Sequence, residues 1–142
     1  MVMIPDADLQ PRKASDGNLT ATETTASFDI GALPRGGLSV EVAVPGPVTG
    51  TNETLDITVE HSADDSTFLT RTTHPQIGDT SGRLGNGVDV YVVPIDTFFR
   101  FIRVVLTVGG TGSPNFGAVV VSITKQQARN VLQVGNLSAN VP

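Results

Sequence analysis

Apolar and polar residues alternate along several short stretches of this chain. Every second residue is apolar in LSVEVAV (38–44) and again in LDITVE (55–60), and His61 continues the second series. A period of two is typical of a β-strand with one face on a core and the other in water. The same pattern, or a denser apolar run, predicts further strands in TASFDI (25–30), VDVYVVP (88–94), FFRFIRVVLTV (98–108) and GAVVVSIT (117–124).

Turn-forming residues separate these stretches. GALPRGG (31–37), PGPVTGTNE (45–53) and SADDS (62–66) are rich in Gly, Pro, Asn or Asp, which favour turns. The Gly-rich stretch GGTGSPNFG (109–117) is expected to connect the last two strands. The chain shows almost none of the 3.6-residue periodicity of amphipathic helices. We therefore predict an all-β fold, a two-sheet antiparallel sandwich of about seven or eight strands, jelly-roll-like or immunoglobulin-like.

The two ends of the chain differ from its centre. Residues 1–20 and 125–142 are polar and without a period, so we predict extended N- and C-terminal arms that flank a sandwich domain of residues 21–124. Scattered apolar side chains in the arms either belong to disordered ends or pack along a strand edge of another chain. The candidate contact residues are Ile4 and Leu9 in the first arm and Val131, Leu132 and Val134 in the second.

The charge balance and the absence of cysteine restrict the setting of the protein. The chain has 142 residues, with 9 Lys and Arg against 14 Asp and Glu, for a net charge of −5. No basic run exists, so nucleic-acid binding, which needs phosphate neutralisation, is not expected. No signal peptide is visible, and no apolar run approaches the roughly 20 residues that span a bilayer. We expect a protein that is made in a cytoplasm and has no disulfide and no membrane partner.

The stretch VEHSADDSTFLT (59–70) raises the question of a metal or acid–base site. His61 stands three residues before Asp64 and four before Asp65. Metal sites normally recruit three or four ligands, however, and the only other histidine is His74. Asp and Ser side chains also accept hydrogen bonds from nearby backbone N–H groups in turns. We predict a hairpin turn here and no bound metal.

The motifs of common catalytic sites are missing from the sequence. There is no G-x-S-x-G elbow and no cysteine nucleophile. The carboxylates fall in predicted loops or on polar strand faces, whereas a glycosidase pair needs one carboxyl in an apolar pocket. The stretch GGTGS (109–113) lacks the lysine of a phosphate-binding loop and leads into a strand. We expect neither an enzyme nor a bound cofactor.

Arg100 and Arg103 lie within the most apolar of the predicted strands. Two interpretations of this pair stay open. In the first, one arginine faces water and the other packs its stem on apolar surface at the strand's edge. In the second, both arginines anchor a contact between subunits, because arginine is enriched at protein interfaces.

The order of these segments resembles the small jelly-roll cement, or decoration, proteins on the heads of tailed bacteriophages. The resemblance covers roughly residues 24–124 and rests on the hairpin SADDSTF, the strand segment RFIR, the Gly-rich turn and the apolar strand after it. It implies a non-enzymatic homotrimer at threefold or quasi-threefold positions that clamps neighbouring subunits of the major capsid protein. It also implies a location on the outer surface of the virion after synthesis in the host cytoplasm.

A sugar-binding β-sandwich from a phage tail or a host-attachment protein is the alternative interpretation. Sugar sites usually offer a flat aromatic ring for stacking, ideally of Trp or Tyr. The chain has no Trp and a single Tyr, Tyr91, which lies within a predicted strand. An exposed Tyr91 on a concave face would favour this alternative.

Overall fold

The computed structural model describes residues 9–31, 38–78, 89–95, 97 and 99–125. Within these residues the regular structure is a short 3₁₀ helix at Ala14–Asp16 followed by β-strands. The strands are β1 (Glu23–Thr24), β2 (Phe28–Asp29), β3 (Leu38–Val44), β4 (Thr49–Ser62), β5 (Leu69–Thr73), β6 (Ile77–Gly78), β7 (Asp89–Pro94), β8 (Phe101–Asn115) and β9 (Val120–Lys125). The described part therefore has nine strands, slightly more than the seven or eight predicted.

The strands form two antiparallel sheets, which confirms the predicted sandwich. The larger sheet has the order β1-β8-β4-β5, with β2 also paired to β8 and β6 also paired to β4. The smaller sheet has the order β7-β3-β9. No helix in the described part of the chain is long and apolar enough to cross a membrane.

Most of the pairing between strands is nested along the chain, and the long pairing of β4 with β8 is an exception that joins the two halves of the larger sheet. The outermost pairs join β1 and β2 to β8, the next pair joins β3 to β7, and the innermost pairs join β4 to β5 and β6. A long hairpin folded over on itself produces this nesting, which gives the sandwich its jelly-roll character. β9 lies outside the nested set and extends the smaller sheet on the other side of β3.

Most of the core consists of the apolar side chains that the alternation assigned to the inner faces, and Leu19, Ile77 and Phe116 join it from outside the predicted strands. β8 supplies Ile102, Val104 and Leu106, and all three are fully buried. The inward residues of the other strands are Leu38, Val40, Val42, Val44, Leu55, Ile57, Val59, Val121 and Ile123. A continuous strand through TASFDI (25–30) would place Ala26 on the inner face with Phe28 and Ile30, but Ala26 is exposed. The reason is that this stretch forms only two separate two-residue pairings with β8, so no continuous alternation passes through it.

Two segments predicted as connections are parts of strands. β4 begins at Thr49 and β8 continues to Asn115, so both run through the Gly-rich stretches, with register shifts between Thr49 and Thr54. Glycine permits this pairing because Gly110 has a φ of +121° and a Cβ there would lie 2.9 Å from the Asn52 carbonyl oxygen. Turn-type composition therefore marks a bulged two-stranded ribbon here, not a loop.

Residues 9–20 of the predicted N-terminal arm lie against the sandwich. Leu19 is fully buried, donates its N–H to the Gly117 carbonyl at 2.8 Å and accepts from the Phe116 N–H at 3.0 Å. Arg12 forms an antiparallel bridge with Val121 along the outer edge of β9. This part of the arm thus contributes to the core and covers one edge of the smaller sheet.

Candidate interface

The outer face of the larger sheet carries the two arginines that the sequence singled out. Because Ile102 and Val104 point into the core, Phe101 and Arg103 point outward from the same strand. Their neighbours across the sheet are Ser62 and Glu60 of β4, which the register places directly opposite them.

Arg103 is held between a carboxylate and an aromatic ring. Its Nε donates to Oε2 of Glu60, and its guanidinium carbon lies 4.1 Å from the centre of the Phe68 ring. Both charged side chains are only partly exposed. The ion pair and the cation–π contact together fix the guanidinium in one orientation on the surface.

Arg100 is held in a similar way by Asp29. Its Nε and Nη2 donate to the two oxygens of that carboxylate at 2.7–3.0 Å, which is a bidentate arrangement. These hydrogen bonds raise the pKa of Arg100, and the negative charge of Asp29 raises it further. Its guanidinium carbon lies 5.3 Å from the centre of the Phe101 ring. The side chain remains mostly exposed.

We call this group the arginine surface and define it by Asp29, Glu60, Phe68, Arg100, Phe101 and Arg103. The structure brings together the two predicted arginines on this surface. The two acidic partners and Phe68 were not predicted, because they come from β2, from β4 and from the residue before β5, which only the sheet register places beside β8. The stretch FFRFIR did carry a signal, since arginine and aromatic residues together are enriched at interfaces.

The other predicted contact residues divide into two groups. Leu9 is partly buried and packs against the core of the sandwich. Its position is therefore internal to the fold in this chain. Ile4, Val131, Leu132 and Val134 lie outside the described residues, so their proposed contacts stay predictions.

The stretch from His61 to Thr67 forms the predicted hairpin turn between β4 and β5. Oδ1 of Asp64 accepts hydrogen bonds from the N–H groups of Ser66 and Thr67, at 3.0 and 2.9 Å, and from the Ser62 hydroxyl. Asp65 adopts a φ of +60°. Within the described residues no group of three or more His, Cys, Asp or Glu side chains is arranged to hold a metal ion.

His61 occupies the end of the inner face, as its place in the alternation predicted. The register sets it opposite Ile102, its Nδ1 lies 2.6 Å from the Thr97 hydroxyl, and its ring centre lies 4.3 Å from that of Phe99. Burial lowers the pKa of His61, and the positive charge of Arg71 lowers it further. These contacts make His61 a packing residue that closes one end of the sandwich.

The turn supports a first prediction. The N–H groups of Thr67 and Ser66 and the Ser62 hydroxyl hold the pKa of Asp64 well below its usual range. We expect Asp64→Ala to lower the melting temperature at neutral pH, because these donors lose their acceptor. A carboxyl whose pKa is lower in the folded state than in the unfolded state stabilises the fold at a pH above the unfolded value of about 4. This contribution to stability is lost as the pH falls from there toward the folded-state pKa.

The gap in melting temperature between the wild type and Asp64→Ala should therefore narrow between about pH 5 and about pH 2, as linkage requires. Thermal unfolding followed by circular dichroism across this range measures the gap. Asp65→Asn is the matched control, since asparagine tolerates a positive φ and should leave the melting temperature nearly unchanged. A gap that stays constant with pH would contradict the role given to the ionised Asp64.

Comparison with known proteins adds no relative: no family model matches this chain, and no curated protein sequence matches it. The class that the fold itself defines is a nine-stranded, all-β, jelly-roll-like sandwich within the described residues.

Proposed function

We propose that this chain is a decoration protein that binds the outer surface of a phage head and stabilises contacts between major capsid subunits. The arginine surface is the observation that carries the proposal. Arginine and aromatic side chains are the commonest anchors of protein–protein contacts, and here they lie side by side on one sheet face. The resemblance to jelly-roll cement proteins supplies the identity of the partner.

The fixed side-chain positions of the arginine surface support a contact with another protein. Asp29 and Glu60 already hold the guanidinium groups in place, so little side-chain entropy remains to be lost on binding. The two arginines and the two carboxylates also balance in charge. A balanced, partly aromatic surface suits another folded protein better than a polyanion, which would need unpaired positive charge.

The remaining parts of the proposal come from the resemblance. We propose a homotrimer with the major capsid protein as its partner, located on the outside of the virion and synthesised in the host cytoplasm. We also propose that the protein acts by contact and not by catalysis. Binding only to the assembled shell would stabilise that shell through linkage.

The position of Tyr91 gives little support to the sugar-binding alternative. The register places Tyr91 opposite the fully buried Val42, and its side chain packs against the core. The edge of its ring meets His74, with the ring centres 5.6 Å apart. The single tyrosine is therefore partly buried against the inside of the sandwich.

A binding experiment with undecorated heads tests the proposal. The wild type should sediment with the heads and raise the temperature at which they release their DNA. Arg100→Ala should weaken binding by about tenfold or more, the size of a typical hot-spot loss. Lys13→Ala is the matched control, because it also removes one exposed positive charge but follows Arg12, which bridges β9 of the smaller sheet.

Three outcomes would count against the proposal. Wild-type protein that stays in the supernatant would contradict head binding. Equal loss from Arg100→Ala and Lys13→Ala would show that net charge matters and the arginine surface does not. A strong signal on a glycan array together with no head binding would favour the sugar-binding alternative.

A further inference from the structure

The backbone hydrogen bonds between β3 and β7 determine which N–H and C=O groups of β7 point away from β3. The Ile95 N–H donates to the Leu38 carbonyl at 2.9 Å, so these two residues form a hydrogen-bonded pair. Along two antiparallel strands, hydrogen-bonded pairs alternate with pairs that share no hydrogen bond. Val93 and Tyr91, which lie opposite Val40 and Val42, are therefore the next hydrogen-bonded positions along β7.

The residues between these positions direct their backbone groups away from β3. Val90 and Val92 therefore point their N–H and C=O groups at the outer edge of β7. The backbone of Pro94 also faces the outer edge, because Pro94 lies two residues after Val92. Proline has no N–H, so no hydrogen bond to β3 is lost at this position. The outer edge of β7 thus presents two complete donor–acceptor sets and then a residue that can only accept.

This edge differs from the opposite edge of the smaller sheet. The outer edge of β9 is bridged by Arg12. The larger sheet ends in the short strands β1 and β2 on one side and β5 and β6 on the other. Among the residues that the structure describes, no strand pairs with the outer edge of β7. The side chains of Val90 and Val92 are 53% and 39% exposed, although they are large and apolar. An open edge with exposed valines is a template for pairing with another strand.

We propose that β7 pairs with β7 of a second copy of this chain, antiparallel and around a twofold axis. Val90 would lie opposite the partner's Val92 and Val92 opposite the partner's Val90, with the axis passing beside Tyr91. Each of these two pairs exchanges two backbone hydrogen bonds, so the two smaller sheets join into one sheet of six strands.

The edge itself favours a second copy as its occupant. A twofold contact requires a surface that is complementary to itself, and the two outward sets are placed symmetrically about Tyr91. A register centred on Val92 would set the Val90 carbonyl against the partner's Pro94, which has no N–H. The outer-face row of Val90, Ala43 and Val120 is also apolar, so pairing would bring the valines of both copies together. The contact joins two copies whether or not each also belongs to a trimer, and it does not depend on the proposed function.

Disulfide trapping tests the register, because the natural chain has no cysteine. The Cα atoms of a hydrogen-bonded antiparallel pair lie about 5.5 Å apart, which a disulfide can bridge. We expect a 1:1 mixture of Val90→Cys and Val92→Cys to give a band of twice the chain mass on a non-reducing gel after mild oxidation. Each variant alone should give almost none. No band from the mixture, or equal bands from the mixture and the single variants, would overturn the inference.

Sedimentation of variants without cysteine tests the same contact independently. Val92→Pro removes the outward N–H but no bond to β3, so the fold should persist while pairing is lost. Val92→Thr keeps the backbone donor and serves as the matched control. We expect the wild type and Val92→Thr to sediment as larger species than Val92→Pro at the same concentration. If all three sediment alike with the same circular dichroism spectrum, β7 is not a contact between copies.

Discussion

A variant that lacks residues 1–20 should lose most of its folding stability, whereas one that lacks only residues 1–8 should unfold close to the wild-type midpoint. The difference arises from residues 9–20, which pack on the sandwich. Leu19 is fully buried and exchanges backbone hydrogen bonds with Phe116 and Gly117. Removing its side chain alone, as in Leu19→Ala, should cost about 2–5 kcal/mol.

The longer deletion should have a larger effect because it also removes Leu9 and Arg12 from the sandwich. A loss above about 5 kcal/mol would approach the whole stability of an ordinary domain, which is about 5–15 kcal/mol. Urea unfolding of the two deletion variants and of Leu19→Ala measures these differences. If the variant lacking residues 1–20 has the same midpoint as the wild type, the segment is not part of the folded domain.

This expectation changes how the contribution of the arms to binding should be tested. A chain of residues 21–124 that failed to bind phage heads would be ambiguous, because it also lacks part of the core. Deleting residues 1–8 or residues 126–142 leaves Leu19 and Arg12 in place. Loss of binding in these variants, with an unchanged unfolding midpoint, would assign the contacts to the deleted residues.

The long strands could be predicted from the sequence because each buries one face over several residues. Leu55, Ile57 and Val59 alternate without interruption, and all three lie in the core. The turn at Asp64 was also predictable, since Asp and Ser hydrogen-bond to local backbone groups without help from the rest of the fold. In both cases the local pattern and the tertiary structure favour the same conformation.

Other features depend on contacts between residues far apart in the chain. β1, β2 and β6 have two residues each, too few for a period to be recognised. The arginine surface needs Arg103 beside Glu60 and Arg100 beside Asp29, and those distances follow from the strand register. Alternation predicts which face a side chain occupies, but it does not predict which strands become neighbours.

Arg12 is the clearest case of a residue whose role only the structure shows. It lies in a polar stretch that reads as part of an arm, yet it is the one buried charged residue in the described part of the chain. Its Nε and Nη2 donate to the Glu23 carboxylate at 2.8 and 3.2 Å. Its Nη1 donates to the Val119 carbonyl at 2.6 Å, and Nη2 also donates to the Gly17 carbonyl at 3.1 Å. One side chain thereby joins the N-terminal segment, β1 and the approach to β9.

We expect Arg12→Met to destabilise the fold by about 3 kcal/mol, although methionine has a similar length and is apolar. The substitution leaves the carbonyls of Val119 and Gly17 and the Glu23 carboxylate without their donor, and breaking a buried ion pair from one side costs about 3–5 kcal/mol. The lower end applies because Glu23 is partly exposed and water can solvate it. At a few degrees per kcal/mol, the melting temperature should fall by about 10 °C.

Two further variants separate the contacts of Arg12 from each other and from general charge effects. Glu23→Gln should cost less than Arg12→Met, because the two carbonyls keep their guanidinium donor and the amide can still accept a hydrogen bond. Lys13→Met removes an exposed positive charge from the adjacent residue and should change the melting temperature by no more than a degree or two, as for an ordinary surface position. Equal losses of melting temperature from Arg12→Met and Lys13→Met would mean that net charge determines the stability, and that the hydrogen bonds of the buried Arg12 guanidinium do not. Equal losses from Arg12→Met and Glu23→Gln would place the whole contribution of Arg12 in its ion pair, leaving none for the carbonyls that it bridges.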